Sequence, residues 1–204
     1  MQTQARRSRE SVRYVAKIGI LSAMAAVVML FEFPLPFLAP PFYQLDFSEV
    51  VALIGTFALG PGAGVLIELI KNLLNLLLTG TETGFVGELA NFLIGCTYVL
   101  PAALFYHGKK KSLRRALIGM ACGTLSLAVC GALFNYYILI PFYSTQYALP
   151  LEEIVAMGHA IFPVVQDLFT MVLFTVIPFN LVKGVLCSVI TGLLYKHVSP
   201  LLHK

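Results

Sequence analysis

The stretch FSEVVALIGTFALGPGAGVLIELIKNLLNLLL, residues 47–78, decides what kind of fold this chain can adopt. Two apolar runs, 47–59 and 63–78, flank GPGAG at 60–64, a glycine–proline cluster that ends one helix and turns tightly into the next. The pair reads as a helical hairpin. Each run is short for a hydrocarbon core that takes roughly 20 helical residues to cross. The second run also carries polar groups: Glu68 is three residues from Lys71 and four from Asn72, and Asn75 extends the same stripe by a turn. On one helix face Glu68 and Lys71 can neutralise each other, which lowers the cost of burying both. Two roles stay open for this group, a packing device between helices or part of a site, and Asn75 is the member that points to a site.

The rest of the chain shows which solvent the hairpin meets. Of 204 residues, 58% are hydrophobic and 12% charged, and the mean hydropathy is +0.85. That leaves too little polar surface for a water-soluble domain of this length, so the chain reads as a single membrane domain over residues 1–204. A basic arm, 1–11, precedes six spans at about 12–33, 47–59, 63–78, 86–106, 113–142 and 179–195. No small-residue cleavage site follows the first apolar run, which is therefore expected to be retained. Residues 159–177 carry Pro163, Gln166 and Asp167 and are expected as an outer segment, a re-entrant piece or the start of one long kinked helix. The expected fold is an all-α integral membrane protein with six transmembrane helices and a long outer segment before the last.

Charge fixes the orientation. With the N-terminus inside, Arg6, Arg7, Arg9, Arg13, Lys17, Lys109, Lys110, Lys111, Arg114, Arg115, Lys196 and Lys204 all fall on the inner side, out of 14 Lys and Arg in total. Lysine and arginine asymmetry of this kind places both termini in the cytoplasm. Trp is absent, so any aromatic belt comes from Tyr and Phe. The four cysteines, Cys96, Cys122, Cys130 and Cys187, lie in apolar runs without a CxxC pair and read as core residues.

Only Lys71 and Lys183 remain at membrane depth. In IPFNLVKGVL, residues 177–186, Asn180 and Lys183 share a helix face, and Pro178 sits where a first helical turn tolerates it. One reading has Lys183 snorkelling to headgroups while Asn180 caps the helix. The other makes them a pocket for an external ligand, because ionisable residues inside a membrane are costly and usually functional. Near the outer end of the fifth span, FNYY at 134–137 sets Asn135 among rings, with Tyr143 and Tyr147 beyond. A belt explains the tyrosines but not the amide. Two asparagines at one level offer donor and acceptor edges suited to a flat heterocycle with alternating N–H and C=O groups. The loop 34–50 is proline-rich and stiff, so little entropy is lost when it closes on something. Within it, Asp46 and Glu49 have the spacing of a helix-opening cap box. In the first span, Gly19 with Ala23 and Ser22 with Ala26 make a smooth face that lets another helix approach.

Several chemistries lack their motifs. There is no phosphate-binding GxxxxGK[ST] loop, HExxH or GxSxG, and the four histidines are too scattered to hold a metal. No internal repeat of the secondary-transporter kind is visible. The chain therefore reads as a binder without an engine, not an enzyme, with no cofactor of its own, a lipid bilayer as its surroundings and no nucleic-acid partner.

The first-span pattern, the block FPLP…LDFSEVVALIGTFALGPGAGVLIELIKNLL, the block TGFVGELANFLIG and the closing IPFNLVKGV together resemble the riboflavin-specific S components of energy-coupling factor (ECF) vitamin transporters, over about 12–195. The resemblance implies six helices with cytoplasmic termini and capture of riboflavin from outside. It also implies docking on a membrane T component driven by two cytosolic ATPases, which would supply the missing engine. By motif it assigns Asn135, Asn180 and Lys183 to the flavin, Gln44 and Leu45 to the covering loop, and Gly19 and Ala23, with Ser22 and Ala26, to the T component. Glycine at the first of these small positions stands where the family usually has alanine. FMN stays open as a second ligand, since Lys183 and Lys71 leave room for a phosphate. Other readings remain: an S component for thiamine or biotin, a membrane enzyme acting on a lipid, or an assembly subunit without ligand.

Overall fold

At the centre of the molecule lies the first arm of the hairpin. The computed structural model describes residues 2–81, 83–107, 111–146 and 150–202, with side chains from 10 to 195 within those ranges. Arg6, Arg7, Arg9, Lys109, Lys110, Tyr147, Lys196 and Lys204 of the charge and belt arguments lie outside the described side chains. The helices are α1 (Gln2–Met29), α2 (Ser48–Leu59), α3 (Pro61–Thr79), α4 (Val86–His107), α5 (Leu113–Phe134), α6 (Ile140–Gln146), α7 (Leu151–Ile161), α8 (Leu168–Met171) and α9 (Ile177–Leu202). A π-helical turn, Asn135–Leu139, joins α5 to α6, and another, Val172–Val176, joins α8 to α9, giving continuous helices over Leu113–Gln146 and Leu168–Tyr195.

Among the described residues, five helices are long and apolar enough to cross a membrane: Glu10–Met29, Pro61–Thr79, Val86–His107, Leu113–Gln146 and Leu168–Tyr195. The sixth expected span, α2, has 12 residues, about 18 Å at 1.5 Å per residue. It can be short because α1, α3, α4 and α9 pack around it. Nearly all its side chains are buried, so its ends need not reach two headgroup layers. Gly60 makes the turn possible, with φ at +106°, a region that side chains other than glycine's avoid. Pro61 then opens α3 at a position where its missing N–H costs nothing.

The bundle is apolar outside and buries a set of polar side chains within a largely apolar core. On α3, Leu66, Leu69, Leu73 and Leu77 face out while Glu68, Lys71 and Asn72 face in. Tyr98, Phe57, Leu53, Ile67 and Leu127 fill the main core. The end of the bundle that carries the GPGAG turn closes with Phe57, Tyr106 and Tyr195, the two hydroxyls 3.1 Å apart, and with His107 Nε2 3.0 Å from the Thr56 carbonyl.

Two expected boundaries are corrected. The last helix begins at Leu168, not near 179, because Asp167 caps it: its carboxylate accepts from Thr170 N at 2.7 Å, and Thr170 Oγ1 accepts from Asp167 N at 3.0 Å. Pro178 is therefore inside a helix rather than in its first turn. In both long helices a π turn ends two positions before a proline, Pro141 or Pro178; the wider turn accommodates a residue that lacks an N–H and crowds the carbonyl four positions back. Second, the fifth span continues to Gln146 rather than ending at 142. The all-helical expectation holds but for a short antiparallel bridge at the start of loop 34–50, in which β1 (Phe33–Pro34) pairs with β2 (Gln44–Leu45).

Candidate ligand-binding site

The segment between β1 and α2 folds back over the ends of α5 and α9. Two turns shape it, with Ala39 N donating to the Leu35 carbonyl at 3.1 Å and Tyr43 N to the Pro40 carbonyl at 2.9 Å. Its apolar side chains, with Ala39 and Leu45 fully buried, pack on Phe179. The Tyr43 ring lies 5.7 Å from that of Phe179, and its hydroxyl donates to Asn135 Oδ1 at 2.6 Å. Burial, reinforced by Tyr143, pushes the Tyr43 phenol upward, so it keeps the proton it donates.

Beneath this cover the two asparagines converge on Gly131. Asn135 Nδ2 donates to the Gly131 carbonyl at 2.8 Å, and a Cβ on Gly131 would fall 2.8 Å from Asn180 Nδ2. A methyl group there would push the Asn180 amide out of its present place. Asn180 donates to the Val176 carbonyl, in the second π turn, at 3.0 Å. Each amide thus spends one N–H on the carbonyl four residues back; the Asn135 oxygen also accepts from Tyr43. One turn on from Asn180, Lys183 Nζ donates to Asp46 Oδ2 at 2.8 Å, and the other Asp46 oxygen accepts from Ser48 N at 2.8 Å. Burial opposes the Asp46 charge, but the ammonium groups of Lys183 and Lys71 outweigh it and hold the carboxyl well below the usual carboxylate range.

A second polar cluster lies along α2 and α3. Lys71 Nζ donates to Ser48 Oγ at 2.9 Å and to Glu49 Oε1 at 2.7 Å. Glu68 Oε2 stands 2.9 Å from the same nitrogen without completing a hydrogen bond. The expected pairing of Glu68 with Lys71 is present, with Glu49 as a further partner. The cap-box reading of Asp46 and Glu49 is corrected: Phe47 is the capping position of α2, and both carboxylates reach other helices.

Asn135, Asn180 and Lys183 are thus brought together. Leu45 is buried against Phe179, while Gln44 in β2 is exposed. Asn75 is half-buried on α3, which packs on α1, α2 and α4, and among the described residues its side chain joins none of the others. The small-residue group divides. Gly19 and Ala23 are exposed on α1, whereas Ser22 and Ala26 are buried in the bundle and offer no outer surface. Sequence reasoning missed Tyr43, Gly131 and Phe179 at the site and gave Asp46 a local role.

The whole is a membrane bundle with two buried asparagines and a buried lysine–aspartate pair under a folded-in loop. A sequence model described as "ECF transporter, substrate-specific component" matches residues 13–195, and the chain belongs to that family. It is a multi-pass membrane protein and a substrate-binding subunit rather than an enzyme. It is 34% identical over 187 residues to "Riboflavin transporter RibU" of Staphylococcus aureus, covering 92% of this chain and 90% of that one. To "Riboflavin transporter FmnP" of Bacillus subtilis it is 31% identical over 192 residues, with 93% of each chain covered. The solved structure described as "Structure and mechanism of the S component of a bacterial ECF transporter" superposes with a TM-score of 0.72 at 32% identity, covering 95% of this chain and 99% of the other.

Proposed function

We propose that this chain captures riboflavin from outside the cell for ATP-driven uptake by an ECF transporter. The observation that carries the reading is the meeting of Asn135 and Asn180 over Gly131, one helical turn from Lys183 and beneath a loop that already reaches them. The amides suit the alternating N–H and C=O edge of the isoalloxazine ring. Tyr43 and Phe179 supply aromatic walls, and the ammonium donates to a carbonyl or ribityl oxygen. Leu45 packs the cover from inside; Gln44, exposed in the present arrangement, contacts the ligand only if the loop shifts. Asn75 belongs to this site only if the ligand reaches α3. The relatives named as riboflavin transporters support the choice of vitamin.

In the same reading α2 counts as the second of six spans, both termini are cytoplasmic and the membrane is the cell membrane, in keeping with the basic residues on one side. Riboflavin is cargo, and the chain has no cofactor of its own. Energy comes from two cytosolic ATPases through a T component. Gly19 and Ala23, exposed and one turn apart, present the smooth face for that partner. Gly19→Leu with Ala23→Leu should leave riboflavin affinity unchanged and abolish uptake by the assembled transporter; uptake that survives the pair of leucines removes this face from the reading.

The function is tested by titrating purified protein with riboflavin, FMN, thiamine and biotin, following flavin fluorescence or heat. Saturable riboflavin binding, weakened in Asn180→Leu, is expected. Monodisperse protein that ignores riboflavin overturns the reading, and a thiamine or biotin response would keep the transporter class and change the vitamin.

A further inference from the structure

We propose that Asp46 makes the site selective for an uncharged ligand over a phosphorylated one, by taking up the charge of Lys183. The inference rests on the riboflavin reading and adds a specificity-determining residue to it. Lys183 and Asp46 are 8% and 3% exposed, and their 2.8 Å contact lies one helical turn along α9 from Asn180. Asp46 is not free to swing away. It stands directly between β2 and α2, and its second oxygen is held by Ser48 N.

Lys71, the other buried ammonium among the described residues, is already surrounded by Ser48, Glu49 and Glu68. The buried ionisable side chains of opposite sign are Asp46, Glu49 and Glu68 against Lys71 and Lys183. Among the described buried residues, no positive charge is left over for a guest. A phosphate monoester brings about −1.5 to −2 charges, and in a poorly hydrated enclosure an anion without a counter-ion is strongly disfavoured. A sugar-alcohol chain asks only for hydrogen bonds. An ammonium has three N–H donors, so Lys183 can serve a hydroxyl while still bound to Asp46. The aspartate thus converts a cation into a neutral donor pair, and an anionic guest must compete with Asp46 for Lys183.

The test is the ratio of Kd values for FMN and riboflavin in the purified full chain. The unmodified protein should prefer riboflavin. Asp46→Asn, which frees the Lys183 charge while keeping a similar shape, should shift the ratio towards FMN by about tenfold, the scale of one charge-assisted hydrogen bond. Asp46→Glu, which keeps the charge, should hold the ratio near its starting value; a purely structural role for Asp46 would change both affinities together and leave the ratio still. Should Asp46→Asn fail to give monodisperse protein, Asp46→Asn with Lys183→Gln removes both charges and should retain the riboflavin preference. A gain of FMN binding in that pair overturns the proposal, as does an unmoved ratio in folded Asp46→Asn. Riboflavin binding with an unmoved ratio defeats this inference alone, whereas an unmodified protein that binds neither flavin defeats the riboflavin reading with it.

Discussion

Lys71 and Lys183 are two ammonium groups buried in one bundle, and they are held differently. Lys71 is fully buried, with oxygens of Ser48, Glu49 and Glu68 all within 2.9 Å. A lysine has three N–H donors; two are bonded to Ser48 and Glu49, and Glu68 Oε2 stands beside the nitrogen as an ion-pair contact. Lys183 is slightly open, meets one carboxylate, and stands one turn from an asparagine beside a second asparagine. The first arrangement is complete without a guest and ties α2 to α3. The second leaves donor capacity pointing into the site. Burial alone does not separate a structural lysine from a binding one; the number of donors already used does.

The strongest way to break this contrast is Lys71→Met. It leaves Glu49 and Glu68 buried without their counter-charge, a loss of about 3–5 kcal/mol for a broken buried pair. Thermal unfolding in detergent should show a large fall in midpoint or a loss of monodisperse protein, with riboflavin affinity nearly normal in whatever remains folded. A folded, stable Lys71→Met that has lost its ligand would transfer the binding role to the wrong lysine and defeat the contrast.

Lys183→Met should give the opposite pattern. Affinity for riboflavin falls roughly five- to a hundred-fold, the scale of a hydrogen bond lost in a dry site. The melting midpoint should fall less than for Lys71→Met, since Asp46 keeps the Ser48 amide and lies at the end of α2 rather than inside the cluster. Equal losses of stability in the two variants would show that Lys183 is as much a strut as Lys71.

How much of this was legible in the sequence follows from the range of each interaction. Glycine and proline mark the α2–α3 turn locally, and hydropathy marks the long helices, so both could be read directly. The Glu68–Lys71 pair is three residues apart on one helix and was readable too. Lys183 and Asp46 are 137 residues apart, and no spacing rule reaches that far. The three-residue interval from Asp46 to Glu49 fits a local cap as well as two long-range pairs, so the local reading prevailed. The start of the last helix was hidden by competing signals. Pro178 suggests a beginning, the Asp167–Thr170 cap that opens the helix was not read from the sequence, and the π turn that lets a helix run through a proline has no simple sequence mark. Ser22 and Ala26 show the limit of composition: small residues at four-residue spacing line both the inside and the outside of α1.

The finest probe of the contrast is Glu68→Gln. Lys71 keeps its two true hydrogen bonds, to Ser48 and Glu49, and loses only the contact that does not complete one. Two carboxylates, on Glu49 and Asp46, then face two ammonium groups among the buried described residues, so formal charge in the interior balances. The substituted amide must find a donor or acceptor partner in a site where neither Glu68 oxygen has one, which offsets the electrostatic gain. The two effects are each of order 1 kcal/mol, so the melting midpoint should move little in either direction and riboflavin affinity should stay within about twofold. A collapse of stability as large as that of Lys71→Met would mean that Lys71 depends on both carboxylates equally. A loss of ligand binding without loss of stability would mean that the cluster communicates with the site through α2, whose first turn holds Glu49 and whose preceding residues hold Asp46.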